Sequence, residues 1–490
     1  MKTSIPSNCC FSTKRVRALR IGLFLVGLCV GITGQCAQQP LVEVPKAFKN
    51  ASREKPTAPT PGEAWWSVFR DPALDALETP ALAANQDLAQ AIARISEARE
   101  QARMIAADFY PHVGLDFGAT RLRTTNTGPL QQARVVVAGQ STVMASQLVS
   151  SFYNDYRTPL TISYELDVFG RIRHSYGSAH ANWQAAEADR RAVALSLSAE
   201  IATSYFGLRA LDLGIDVLHR AVALRRDSVQ LNQERVTAGL ANSLDLSRAR
   251  VELENTQAEL DNAVRLRAEA ENNLAALCGQ PASDFHFPVR SLENLAPPAV
   301  PAGVPAGLMA RRPDLTEAER RLAAANEQIG VARAQLLPTF SIGASAGYES
   351  GKESQLIESQ SRALALMGTV SIPIFEGGRN TANLRAARAR RDEALAAYRA
   401  TAITAFKEVE NALADLRQRT AQLASHDRAI ANAREVLELS QKRYIEGSVS
   451  YFEVVDAQRS LLKVELDRVQ TLNARFAATA ALVRALGGGW

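Results

Sequence analysis

Five cysteines and six histidines are the residues here best equipped for nucleophilic, metal-binding or acid–base chemistry, yet their spacing supports almost none of it. His112, His174, His180, His219, His286 and His426 form no HExxH pair and no other spacing that would put two imidazoles on one ion. No glycine-rich loop is placed to cradle a phosphate. Ser-His-Asp combinations could be picked out arbitrarily in so long a chain, so they carry no weight. The chain reads as a non-enzyme without cofactor or metal.

Cys36 is the one position with a specific covalent chemistry attached. Lys2, Lys14, Arg15, Arg17 and Arg20 precede an apolar run over residues 21–32, which is too short to span a bilayer and fits a bacterial secretory leader, residues 1–35. Cys36 follows directly, which suggests lipid attachment at a new N-terminus. Gln35 is bulkier than the small residue usual before such a cysteine, so plain cleavage nearby is the alternative. Cys9, Cys10 and Cys29 leave with the leader, and Cys278, at a helix end, reads as a small buried hydrophobe. With the five leader cations removed from the 56 Lys and Arg, 51 remain against 51 Asp and Glu. A nucleic-acid partner therefore loses its electrostatic basis.

The elements around these residues are unusually long. Residues 379–446 contain no Gly or Pro, although the chain holds 28 and 20 of them, which predicts one helix of about 100 Å. Leu416, Leu423, Ile430, Leu437 and Tyr444 recur every seven residues, the period of a helix wound on a neighbour. A shift of 208 lays residues 171–238 on this stretch, Gly170-Arg171 on Gly378-Arg379, and Gly239-Leu240 on Gly447-Ser448. Both copies continue without Gly or Pro to Gly279 and Gly487. Upstream, a shift of 227 lays Leu88, Glu100, Gln101 and Pro111 on Leu315, Glu327, Gln328 and Pro338, so the first copy carries a 19-residue insertion. The chain is an internal duplication.

Between Pro111 and Gly170, and again between Pro338 and Gly378, the period falls to two. Residues 113–122, 160–168, 340–348 and 364–374 alternate apolar with small or polar residues, as in Leu160, Ile162, Tyr164 and Leu166 against Thr161, Ser163 and Glu165. Runs of about ten residues with one apolar face predict tilted membrane-spanning strands. Four strands cannot close a barrel and open edges cannot sit in lipid, so several copies must pool their strands. Residues 125–152 and 349–362 are expected as loops, and a helix is expected from about Pro80 to Asp108. The expected organisation is leader 1–35, extended equatorial segment 36–82, first copy 83–279, proline-rich linker 280–312, second copy 313–487 and tail 488–490.

Trp65-Trp66 with Phe69 and Asp71-Pro72, the turns at residues 167–171 and 372–379, and the tips at Gly239, Leu240, Gly447 and Ser448 together resemble the TolC-like outer-membrane factor family, with the lipoprotein subunits of drug-efflux pumps as the nearest branch. The resemblance covers the mature chain in order and in duplicate. It implies a mostly helical fold with a membrane β-barrel: a homotrimer whose 12-stranded barrel in the outer membrane continues as a 12-helix coiled-coil tube. Its implied partners are outer-membrane lipid, a periplasmic adaptor at the tips and an inner-membrane pump of the RND type. It also implies a periplasmic gate with acidic positions at Glu453 and Asp456, three apart on one helical face, and a closing hydrogen bond between Tyr444 and Asp245. The family's second, Arg-based link is not reproduced, because Val449 and Leu244 occupy its positions.

The function implied is a passive exit duct for small molecules in a tripartite efflux system. Two rivals stay open: a duct for protein secretion by an ATP-driven exporter, and a periplasmic coiled-coil scaffold without a pore.

Overall fold

Helices of 67 residues, α3 (Arg171–Thr237) and α7 (Arg379–Ile445), dominate the chain, and each is followed by one of 35 residues, α4 (Ser243–Leu277) and α8 (Tyr451–Ala485). This computed structural model describes residues 64–123, 131–137, 140–146, 152–293 and 305–488, with isolated positions at 42–50 and 295–300. The leader, Cys36 and the final two residues of the tail lie outside the described residues. Leu423, Ile430, Leu437 and Tyr444 of the seven-residue repeat are buried, as their spacing requires, and Leu416 is half-buried.

All four helices end alike. Gly239, Gly279, Gly447 and Gly487 have φ of 72°, 68°, 78° and 93°, where a side chain would be strained. At the second tip Gly447 N–H bonds Tyr444 O at 3.0 Å and Ser448 N–H bonds Arg443 O at 2.9 Å, and Gly239 and Leu240 repeat the pattern on Val236 and Arg235. Two of the orphan carbonyls at each tip thus find donors while the chain reverses.

The strands form one antiparallel sheet in the order β1 (His112–Leu115) and β2 (Gly118–Arg123), then β5 (Phe152–Leu166), β6 (Thr339–Ser350) and β7 (Arg362–Ser371). β1 and β2 keep a single register on β5 and fill the place of one expected strand. The ladder breaks opposite Pro159, which has no N–H to donate. Gly347 lies across from Pro159 on the other side, where a Cβ would come within 2.2 Å of Thr158 O, so only glycine fits.

Register builds the membrane face. Val113, Ile162, Ala344 and Leu366 form one row across the four strands, and Leu115, Leu160, Ala346 and Leu364 form the next on that face. The intervening row is Gly114, Thr161, Ser345 and Ala365. Among the described residues none covers the apolar rows, for Val113 is 64% exposed and Leu366 81%.

Three expectations are corrected. The loop over residues 125–152 contains a separate hairpin, β3 (Gln131–Val137) with β4 (Gln140–Ser146), favoured by β-branched Val135, Val136 and Val137, and its last residue, Phe152, opens β5. The last strand stops at Ser371 instead of Ile374, since Pro373 cannot continue a ladder. The helix expected from Pro80 is two: α1 (Pro72–Ala84), with Pro80 inside it, and α2 (Gln86–Ala106). Asn85 divides them, its Oδ1 accepting from Asp87 N–H and Leu88 N–H at 2.9 and 3.1 Å.

The linker region carries the short helix α5 (Pro305–Arg311), and α6 (Pro313–Ala334) then opens the second copy, packing on α3 and α7. At mid-height the N-terminal aromatics lock the copies together. Phe206 of α3 stacks on Phe476 of α8 with centroids 4.4 Å apart, and Phe69 packs against both. Trp65 Nε1 donates to Ser198 Oγ at 2.7 Å, and Tyr205 donates its hydroxyl to buried Asp71, which also caps α1. The linker is held by Asp212, which accepts from Arg267 Nε at 2.8 Å and Arg290 N–H at 3.1 Å.

Two measurements check this architecture. Leu366→Arg on the apolar row should lower membrane-assembly stability by about 2–4 kcal/mol, whereas Thr369→Arg on the other face should be far milder; equal effects would remove the lipid-facing assignment. Glu78 of α1 is fully buried without a hydrogen-bond partner, and burial, with Asp75 beside it, pushes its pKa from 4.5 up to about 9. The fold therefore retains a proton that the unfolded chain has already released, and stability is lost as pH rises from about 4.5 toward 9. The stability difference between Glu78→Gln and the native chain should grow with pH by up to about 1.4 kcal/mol per unit, read from denaturant unfolding between pH 5 and 8.

Candidate functional site

The lower ends of the two helical hairpins meet in a small apolar cluster of Ala249, Leu437, Tyr444, Tyr451, Val454, Val455 and Ala457. The Tyr444 and Tyr451 rings lie 5.3 Å apart, and the Arg235 guanidinium sits 4.8 Å over the Tyr444 ring. Beside the cluster runs a buried polar ladder. Tyr444 donates its hydroxyl to Asn232 Oδ1 at 2.6 Å, Asn232 Nδ2 donates to Ser228 O at 2.8 Å, and Gln458 Nε2 donates to Ser228 Oγ at 2.9 Å. Glu252 of α4 then takes Arg459 Nε of α8 at 3.0 Å and faces Arg225 of α3 at 3.5 Å, while Arg225 also donates to Glu252 O and to Thr256. α7 and α8 are thereby bonded to α3 and α4 at several levels.

The Tyr444–Asp245 bond is not made within the chain. Asn232 takes the phenol because it is fully buried on α3 and opposes Tyr444, while Asp245, in the first turn of α4, turns toward Arg248 at 3.8 Å. Burial raises the Tyr444 pKa, Arg235 opposes that shift and the Asp245 carboxylate adds to it, so Asp245 stands close enough to act by its charge alone. Val449 packs against the apolar cluster and Leu244 is exposed, so neither supplies a polar link.

Glu453 and Asp456 both sit on the exposed face of α8, with Val454, Val455 and Ala457 turned inward between them. Neither carboxylate has a hydrogen-bond or ion-pair partner among the described residues. At the tips Leu240 is 69% exposed, while the Ser448 hydroxyl bonds back to Arg443 O at 3.0 Å. At the opposite end Gly170 and Gly378, with φ of 80° and 84°, turn each sheet half into its helix. Arg171 grips Glu165 with two bonds of 2.8 and 2.9 Å; Arg379 meets Glu376 at 3.5 Å. Asp167 caps α3 through the N–H groups of Ile172 and Arg173.

The ladder residues Arg225, Ser228, Asn232, Glu252 and Gln458 had no place in the sequence reading. A signal existed: Leu218, Val222, Arg225, Ser228 and Asn232 step by three and four, so the last three continue a buried stripe as polar residues.

A sheet with an uncovered apolar face, joined through glycine turns to helices of about 100 Å, defines a membrane channel of the β-barrel/α-barrel type. The outer membrane efflux protein family matches residues 79–280 and 304–488, and the chain belongs to that family. It is 34% identical to outer membrane protein OprJ of Pseudomonas aeruginosa, with 97% of each chain covered, and 29% identical to SilC of Salmonella typhimurium, named a probable outer membrane lipoprotein, over 96% of this chain and 97% of that one. The solved outer-membrane channel OprN superposes with a TM-score of 0.83 at 30% identity, covering 92% of this chain and 98% of its own.

Glu252→Ala should leave Arg225 buried without its carboxylate and cost about 3–5 kcal/mol. Tyr444→Phe removes one neutral bond, worth about 0.5–1.5 kcal/mol. Backbone amide exchange at the lower ends of α3 and α7 should accelerate in that order, with Asp245→Ala near native; an Asp245→Ala effect matching Glu252→Ala would return the bond to Asp245.

Proposed function

We propose that three copies of this chain close into one outer-membrane exit duct of a tripartite efflux pump, which receives small molecules from an inner-membrane transporter of the RND type through a periplasmic adaptor. The observation that carries this reading is the four-stranded sheet, whose apolar face is uncovered and whose edges, β1/β2 and β7, are unpaired among the described residues. Backbone groups on those edges cannot stay unpaired in hydrocarbon, and pairing β7 of one copy with β1/β2 of the next leaves none free. Twelve strands and a matching ring of helices result from three copies.

The tips at Gly239, Leu240, Gly447 and Ser448 meet the adaptor, with exposed Leu240 as an apolar contact. Cys36 carries the lipid, which supplements an anchor that the barrel already provides. Symmetry brings three copies of Glu453 and Asp456 around one axis, where like charges repel and cations screen them. The buried ladder holds each copy's hairpins together and so sets how far the entrance opens.

In planar bilayers the purified protein should conduct with a cation preference, and Glu453→Gln with Asp456→Asn should reduce that preference several-fold. An unchanged preference would remove these carboxylates from the constriction. Protein that does not insert and washes off membranes with salt or urea would favour the scaffold.

A further inference from the structure

The apolar face of the sheet changes character toward the end away from the helices. It begins at Leu166, which pairs with Phe340 beside Phe169, and runs through Ile162 and Leu160 to Tyr156, ten residues further along β5. Those residues cover about 34 Å of strand and, at a tilt of about 40°, about 26 Å of height, close to the apolar band of about 25 Å that aromatic residues bound in an outer-membrane barrel. β2 carries the same face beyond that band. Arg121 pairs with Asn154 and Arg123 with Phe152, one and two positions on this face past Tyr156, so they stand about 5 and 10 Å above the apolar edge, at headgroup level.

Both guanidinium groups lie over the Phe152 ring, 5.0 and 5.4 Å from its centre. The ring attracts each cation, yet two cations gathered on one ring repel, and an anion bound between them relieves that repulsion. The paired strands supply no carboxylate there, because Asp155 and Glu349 occupy the opposite face, where Arg157 meets them at 2.6 and 3.2 Å. Arg362, at the outer end of β7, is exposed on the same face as Leu364 and Leu366. We propose that Arg121 and Arg123 bind phosphate groups of an acidic glycolipid in the outer leaflet, and that Arg362 joins them where β7 of one copy meets β2 of the next. This rests on the closed-barrel reading above, which supplies both the lipid and the seam. Each guanidinium offers a flat pair of N–H donors to phosphate oxygens, while the acyl chains of the same lipid lie on the apolar rows below.

Binding of fluorescent diphosphorylated lipid A to the purified full-length protein in detergent tests the site, with bilayer conductance of the native protein measured alongside. The native protein should bind this lipid roughly tenfold or more tightly than lipid A stripped of both phosphates. The combined variant Arg121→Gln, Arg123→Gln and Arg362→Gln should lose that preference yet keep the native affinity for the stripped lipid, because its apolar rows are intact. A large excess of inorganic phosphate should leave the lipid bound. Equal native affinity for the two lipids would overturn the site, as would a preference that survives the glutamine substitutions. Displacement by inorganic phosphate would mark a site for free anions and overturn the lipid assignment. Weaker binding of the stripped lipid by the variant would show that the substitutions damage the face itself, and would overturn the assignment to these arginines. Native protein that passes no current would remove the barrel reading and the site together, whereas current without phosphate preference would remove the site alone.

Discussion

Hydrocarbon offers no hydrogen bonds, and this constraint shapes the chain more than any side-chain contact does. The chain supplies four strands whose register gathers its apolar residues onto one face, and among the described residues it leaves two backbone edges unpaired. The proline break opposite Asp116 is tolerable because β2 resumes the same register on β5. Gly347 is fixed by the same place, since the backbone at Pro159 leaves no room for a Cβ.

Below the sheet the problem reverses, because helices of about 100 Å expose far more surface than one chain can cover. Two of the buried joints between helices differ in kind. At mid-height Trp65, Phe69, Phe206 and Phe476 form an aromatic joint between the N-terminal segment, α3 and α8. At the tips an apolar cluster is joined by buried polar links, with Glu252 shared between Arg225 and Arg459, and Tyr444 bonded to Asn232. An aromatic joint is indifferent to small geometric slips, whereas a buried ion pair is costly when one partner is lost.

The two copies share elements but have divided their work. Positions equivalent to Ser228 and Asn232 hold Val436 and Ser440 in the second copy, so the ladder draws its polar groups mainly from the first copy, and the exposed carboxylates Glu453 and Asp456 belong to the second. Duplication set the frame; divergence at a few buried positions gave the hairpins unequal roles.

The sequence by itself determined the helices, their glycine ends and the alternating strands, because these follow from local rules: freedom from Gly and Pro over 67 residues, positive φ at Gly447, and a period of two in residues 340–348. It also marked Glu453 and Asp456 as one helical face. Tertiary structure alone decided which partner each buried polar group takes. Asn232 and Asp245 are both plausible acceptors for Tyr444 by type, yet only Asn232 is brought opposite it in a dry site, while Asp245 stays half-exposed beside Arg248. The division at Asn85 and the hold of Glu410 on Asn50 have the same origin: each depends on groups hundreds of residues apart or on a cap whose competitor lies elsewhere in the fold, as with Asn85 Nδ2 on Leu277 O. Periodicity is a property of neighbours in sequence, whereas hydrogen-bond partnership in a buried site is a property of distance in space, and only the packed helices fix that distance.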